Sequence, residues 1–581
     1  MVWVIFASFI IYTVFVMWFS WYKTRGTDLK SSDGYFLGGR SLSGIVIASS
    51  MILTNLSTEQ IVGLNGQAYG ESMVVMAWEV TAPLALIFLA FVLLPRYLKT
   101  GITTIPDFLE QRFDMRTKQI VSVLFLMGYA VAYLPTILYS GALVLDSIFS
   151  ISSITNMSPF MIVLLVSVAI GIIGTSYVIL GGLKATAMSD TINGFGLIIG
   201  GLLIPFLGLI ALGGGNVQSG VDNLLNANPS KLNAIGFHDS SVPWVVLFAG
   251  MLFNNLFYWT TNQSIVQRTL AAKNLAEGQK GVLFAGLVKV FGLFFLVMPG
   301  IIAYLLYGNT ISNADTAYPT LVVDVLPVAL SGLLAAVLFG AIMSSFNNTI
   351  NGSMTLFTMD IYKPIFKPNA DERHYVKAGR IFAAVLATVS VVVAPLILYA
   401  PQGLYAYLQE MFGFYNMPII AMVIVGFFSK RVPAMAPKIA ILVHVVVYAA
   451  SKVIIPDINF LYVLGILLPL NIFVMLIVGR LQPRETPYVM KEANVVDLTP
   501  WKYAKPFSLG IVVLMIAVYA FFSPIGVAEA NAEYSPWMIV YLVGTLAFIG
   551  AALWFWRKTN KKLDSVEDNS EVIPDEERKT V

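Results

Sequence analysis

This sequence predicts an all-α polytopic membrane protein, and three features carry that prediction. Of its 581 residues, 57% are hydrophobic and only 12% are charged, a balance that excludes a soluble globular chain. Its apolar runs are long enough to cross a bilayer core, which takes about 20 residues each. Its Lys and Arg residues fall between those runs, gathered on alternate connections.

Fifteen such runs can be marked, near 3–22, 43–66, 73–95, 119–148, 159–180, 186–212, 243–267, 281–307, 326–357, 378–399, 402–429, 434–451, 457–479, 506–523 and 536–556. The first is followed at once by Lys23 and Arg25 and has no basic stretch before it. It therefore reads as a retained helix that starts outside, not as a cleaved signal. Threading from there places 32 of the 35 Lys and Arg on one side; Lys231 and Lys452 fall on the other and Lys289 falls within a span. That is the positive-inside pattern. It sets the N-terminus outside and the C-terminus in the cytoplasm; a plasma membrane, the inner membrane of a bacterium, is the expected location. With no Cys, disulfides and thiolate metal sites are excluded. The formal net charge of +3 identifies no partner.

The second run carries Thr54-Asn55-Leu56-Ser57-Thr58-Glu59-Gln60 in its middle. Polar groups at that depth cost free energy unless they line a cavity or hold a ligand, and broken spans are where secondary transporters place solute and coupling ion. The seventh run has Asn254-Asn255 and then Thr260-Thr261-Asn262-Gln263. Polar breaks five spans apart predict two inverted five-span units; Asn and Thr acting as glue between helices is the competing account. The expected organisation is an extra helix and loop over 1–42, a first repeat over 43–212, an external loop over 213–242, a second repeat over 243–429, extra helices over 430–562 and a disordered cytoplasmic tail over 563–581.

Ionisable residues at membrane depth narrow the function. Glu59 and Glu79 lie in adjacent spans and Lys289 in the eighth, and each costs about 2.5 to 3.5 kcal/mol at a helix centre if it faces lipid. They must face each other, water or a ligand; a carboxylate and ammonium that merely lock two helices is the structural alternative. His444, alone on an apolar span, reads as a satisfied core histidine. Asp190 is balanced between helix capping and ion coordination. In the ninth span Ser344-Ser345 and Asn347-Asn348 set hydroxyls and amides along one stretch, the oxygen ligands that a hard cation takes. Such hydroxyls also bond their own backbone. Tyr258-Trp259 beside the seventh-span break suits a sugar face, and also ordinary packing. With three His, no Cys and no nucleophile–base motif, an enzyme is not expected.

Several strings together resemble the solute:sodium symporter family, most closely its sodium/glucose and sodium/galactose cotransporter branch. They are Tyr35-Phe36-Leu37-Gly38-Gly39-Arg40-Ser41, Asn55 to Gln60, Gly101-Ile102 with Ile105-Pro106-Asp107-Phe108, Gly181-Gly182-Leu183-Lys184, Asn262-Gln263 with Gln267-Arg268-Thr269-Leu270, and Thr355 to Tyr362. The resemblance implies the leucine-transporter-type fold, two inverted five-helix repeats in about 14–15 transmembrane helices. It implies a monomeric, sodium-coupled importer of a hexose, with sugar, sodium and membrane lipid as partners and no nucleic acid.

Carried over residue by residue, the resemblance implies sugar contacts at Asn55, Gln60, Glu79, Asn255, Tyr258, Lys289 and Gln409. It implies an inner gate at Tyr258 and an outer gate at Leu64, Trp78 and Tyr405, where the last two depart from the branch's pattern yet stay bulky. It implies a sodium site of carbonyls at Leu53, Leu56 and Ala341 with the hydroxyls of Ser344 and Ser345. Some members hold a second sodium on an acid matching Asp190 and a hydroxyl residue where this chain has Asn348, so the ion number stays open. Inositol, sialic acid and proline-like solutes, and a sugar sensor without transport, also stay open.

Overall fold

A computed structural model of the chain describes residues 2–24 and 42–528 apart from 103, 182, 401–402, 491 and 494–495. The string Tyr35 to Ser41, the fifteenth apolar run, the tail and the side chains of Lys184 and Asp190 lie outside the described residues. Each of the first fourteen expected runs is helical, from Val2–Thr24 to Ala504–Phe521, and no β-strand forms among the described residues. Eight of these helices are unbroken, long and apolar enough to cross a membrane, and three bent pairs raise the number to 11. Large apolar side chains such as Ile172, Val385, Val446 and Phe473 are exposed while Asn55, Glu79, Lys289 and Gln409 are buried. This is the inside-out polarity a lipid-facing bundle requires.

Two bent spans form the centre. The second is the pair Gly44–Asn55 and Thr58–Gly70, meeting at 62°, and the eighth is Leu275–Phe291 with Leu293–Tyr307, bent by 46°. They nest because small residues let the backbones touch. A Cβ at Gly281 would stand 2.6 Å from Ile47 Cβ and 2.9 Å from the Gly44 carbonyl; one at Gly300 would stand 2.1 Å from the Asn65 carbonyl. The Asn65 side chain secures the second contact, accepting from Gly300 N at 2.8 Å and donating to Ile61 O at 2.8 Å and Phe295 O at 3.3 Å. The ninth span, Val328–Ile365, lies against the second: Thr58 Oγ1 donates to Leu338 O at 3.2 Å.

The sequence marks Asn254-Asn255 and then the Thr260 to Gln263 string as the seventh-span break, and the structure interrupts the helix only at the second. Gly250–Thr261 is one continuous helix, Asn262 is extended at ψ 120°, and Gln263–Leu270 follows. Asn254 and Asn255 keep their helix because their amides reach other spans instead of their own backbone.

Between the eighth and ninth spans, Asp315 is buried and fastens three segments. Its carboxylate accepts from Leu404 N on the eleventh span at 3.1 Å and from the Tyr139 hydroxyl on the fourth at 3.3 Å. Asn313 Nδ2 donates to that hydroxyl at 3.1 Å. Burial pushes the Asp315 carboxyl up to about 6, against the pull of the Leu404 and Tyr139 bonds. A carboxyl raised in the folded state favours folding when protonated, so its contribution is full below its unfolded value and is lost as pH rises through about 6. Asp315→Asn is therefore expected to raise the melting temperature at about pH 7.5, by the equivalent of about 1 to 3 kcal/mol, with the gain vanishing toward about pH 4. Equal melting temperatures of wild type and variant at both pH values would count against a raised Asp315 carboxyl.

Candidate functional site

The second span leaves the helix at Leu56 and Ser57, with ψ of 96° and 165°. Short polar side chains there compete with the backbone ladder, and the break strips the carbonyls before it and the amides after it of helical partners. The two dipole ends meet at one depth.

A cavity lies beside this break. Asn55 and Gln60 reach it from the second span, Glu79 from the third, Asn255 and Tyr258 from the seventh, Lys289 from the eighth and Gln409 from the eleventh. The structure thus brings together all seven residues expected to contact solute. Of the expected gate residues, Trp78, Tyr258 and Tyr405 line the cavity. Leu64 does not; it is buried about one turn beyond Gln60 on the same half-helix, packed in the core.

The polar residues form one network. Lys289 Nζ forms an ion pair with Glu79 Oε2 and donates to Asn55 Oδ1 at 2.5 Å. Asn55 Nδ2 donates to the Tyr258 hydroxyl at 3.1 Å, and Gln60 Nε2 donates to Glu79 Oε1 at 2.7 Å. The Lys289 ammonium also stands 5.2 Å from the Trp259 ring centroid, a cation–π contact. Asn255 Nδ2 donates to Thr81 Oγ1 at 2.8 Å, while Gln409 Oε1 accepts from Asn254 Nδ2 at 2.9 Å and Asn254 Oδ1 from Asn416 Nδ2 at 2.7 Å. Trp78 meets Tyr405 edge-on, with ring centroids 5.2 Å apart, and stacks on Phe460. Gln60 Oε1, Trp78 Nε1 and Glu59 Oε2 are buried with no hydrogen-bond partner.

Of the expected sodium ligands, Leu53 and Leu56 stand at the break of the second span and Ala341, Ser344 and Ser345 lie on the ninth span. Ala341, Ser344 and Ser345 follow Leu338 on the ninth span, and Leu338 accepts the Thr58 hydroxyl that begins the second half-helix. The donor set is all oxygen: carbonyls released by the break at Leu53 and Leu56, a third at Ala341 and two hydroxyls. It fits a hard monovalent cation. For the second ion position, Asn348 is exposed and its amide donates to Ser344 Oγ at 3.4 Å, and the Asp190 side chain lies outside the described residues.

Ser57, Glu59, Asn254 and Trp259, which the sequence marked by their polar breaks, depth or aromatic pairing, line this cavity, and so do Tyr133, Phe257, Leu408 and Phe412, which sequence reasoning did not single out. Leu408 and Phe412 were accessible to spacing, since with Tyr405 and Gln409 they mark one face of the helix Gly403–Phe412 at i, i+3, i+4 and i+7. His444 takes no part; it is buried, with Nε2 2.8 Å from Gly413 O and Nδ1 3.1 Å from Asn471 Nδ2.

Comparison with known proteins now bears on this geometry. The family model for the sodium:solute symporter family matches residues 35–437. The chain belongs to the sodium:solute symporter family. Among similar members, the uncharacterized symporter YidK of Escherichia coli (strain K12) is 46% identical across 95% of this chain and 96% of its own. The sodium/glucose cotransporter of Vibrio parahaemolyticus is 34% identical across 70% of this chain and 77% of its own. The bovine sodium/myo-inositol cotransporter is 30% identical across 82% and 73%. A solved Na+-coupled sialic acid symporter superposes with a TM-score of 0.67 at 21% identity, covering 84% of this symporter and 99% of that chain. That likeness gives the fold: the leucine-transporter type, with two inverted five-helix repeats.

The buried pair makes a stability prediction. Removing one partner strands an opposite charge, at about 3 to 5 kcal/mol, whereas replacing both with apolar groups of similar volume is near neutral. Glu79→Gln and Lys289→Met should each lower the melting temperature, and the double variant should recover most of the loss. Additive losses would mean that the two charges are not coupled.

Proposed function

We propose that this symporter imports a hexose or similar polyol, galactose- or glucose-like, driven by sodium and working by alternating access. The observation that carries the reading is the ring of amides and paired charges around the Tyr258 phenol inside one cavity. An aromatic face packs the C–H surface of a pyranose or cyclitol while amides and carboxylates take its hydroxyls. An amino-acid solute fits less well, because Lys289 is already engaged by Glu79 and Asn55. Relatives named for glucose and for myo-inositol support a polyhydroxylated ring.

Sodium is the proposed coupling ion, held by Leu53, Leu56, Ala341, Ser344 and Ser345; a second ion at Asp190 and Asn348 is not part of the proposal. With the first span starting outside and the C-terminus in the cytoplasm, the Trp78–Tyr405 contact forms the outer gate and Tyr258 the inner one. Sodium at the junction of the second and ninth spans stabilises the outward-open state, since only a difference in affinity shifts such an equilibrium. Solute then closes the outer gate, and opening of the inner side loosens the junction and releases both cargoes. The carrier works as a monomer in a plasma membrane and changes no covalent bond.

Two measurements test this. Ser345→Ala should raise the sodium concentration for half-maximal uptake in proteoliposomes while solute affinity at saturating sodium changes less; an unaltered sodium curve in the folded variant removes Ser345 from the site. Tyr258→Phe should retain appreciable solute binding and Tyr258→Ala should not, because Phe keeps the ring face. Sodium-dependent proline or sialic acid uptake that hexoses fail to compete would overturn the sugar assignment.

A further inference from the structure

The cavity holds two carboxyls and one ammonium, and that imbalance has a chemical consequence. Glu79 is spoken for: Oε2 pairs with Lys289 and Oε1 accepts from Gln60. Glu59, in the first turn of the half-helix Thr58–Gly70, is 2% exposed and lines the same cavity. Ser57 and Tyr133 line the cavity with it, and its Oε2 is buried with no hydrogen-bond partner. A buried acceptor left unpaired carries its full desolvation cost, so an oxygen of this kind lining a cavity points to a ligand that completes it.

Tyr133 lines the cavity from the fourth span, whereas Lys289 holds Glu79 from the eighth, and the Tyr258 phenol lines the same cavity as both carboxyls. A ring seated on Tyr258 therefore meets a carboxyl from each of two separate supports. A hydroxyl is the ligand group that pairs with Glu59 in either protonation form, because it both donates and accepts.

We infer that Glu59 is a second carboxyl contact for solute, binding a ring hydroxyl other than the one Glu79 takes, and that it restricts the cargo to rings hydroxylated at both positions. The inference rests on the polyol reading above. A cationic solute, and a purely structural brace between Ser57 and Tyr133, are the outcomes that oppose it.

The test is sodium-dependent binding to the purified full chain, with glucose, galactose, myo-inositol and their monodeoxy analogues, for wild type, Glu59→Gln and Glu59→Asp. Glu59→Gln should weaken the parent solute about ten- to a hundredfold. For one deoxy analogue, and for that one only, the substitution and the missing hydroxyl should be non-additive, as groups in contact are. Additive losses for every analogue, tighter binding of an amine-bearing sugar than of its parent by wild type, or failure of both variants to fold would each overturn the Glu59 contact while leaving the polyol reading in place. No polyol binding by wild type would overturn both.

Discussion

The ion pair between Glu79 and Lys289 is the interaction on which the site depends, because it reaches both sides of the helix break. Lys289 bonds Asn55, the last residue of the half-helix Gly44–Asn55, and Glu79 accepts from Gln60, in the first turn of Thr58–Gly70. A single neutralised pair thus bridges two half-helices that share no backbone ladder across Leu56 and Ser57. At this depth neither charge is tolerable alone. Any change in the angle of the break must lengthen one of these bonds or carry the third or eighth span with it.

The same logic explains why the eighth span bends beside the second. Glycines at 44, 281 and 300 remove the side chains that would separate the two backbones, and Asn65 supplies bonds where the second half-helices meet. Close backbone approach gives dispersion contact that lipid cannot match, which is what holds helices together where hydrophobic burial offers no preference. Lys289 is thereby delivered to the cavity by a helix whose position is set two turns away by Gly281.

How much of this was legible in the sequence follows from cost. Charges and amides inside an apolar run are expensive, so Asn55, Gln60, Glu79 and Lys289 stood out by position alone, and the fourteen described spans followed from the length of the runs. Asn254 and Asn255 read as part of the seventh-span break because they look like helix breakers until their partners Gln409 and Thr81, far along the chain, are known. Tyr133 gave no signal, since an aromatic residue in a span costs nothing and packs equally well anywhere. Leu64 was assigned to a gate through resemblance, and no local pattern distinguishes a leucine facing the cavity from one a turn further along. Asp315 was silent for the opposite reason: it lies in a connection, where a carboxyl is unremarked until its three-segment contact is seen.

In the proposed carrier, ion and solute are read by different parts of the chain. The sodium ligands are mostly backbone carbonyls, so they depend on the break existing more than on which side chains make it. The solute contacts are side chains from five spans, and each can change without disturbing the ladder. A scaffold so divided can keep one coupling ion while its cargo varies, as relatives named for glucose and for myo-inositol illustrate. Asn55 and Gln60 are where the two halves of that division touch. They sit on either side of the break that frees the carbonyls, and they are tied to the charges that face the solute, so occupancy of either place alters the geometry available to the other.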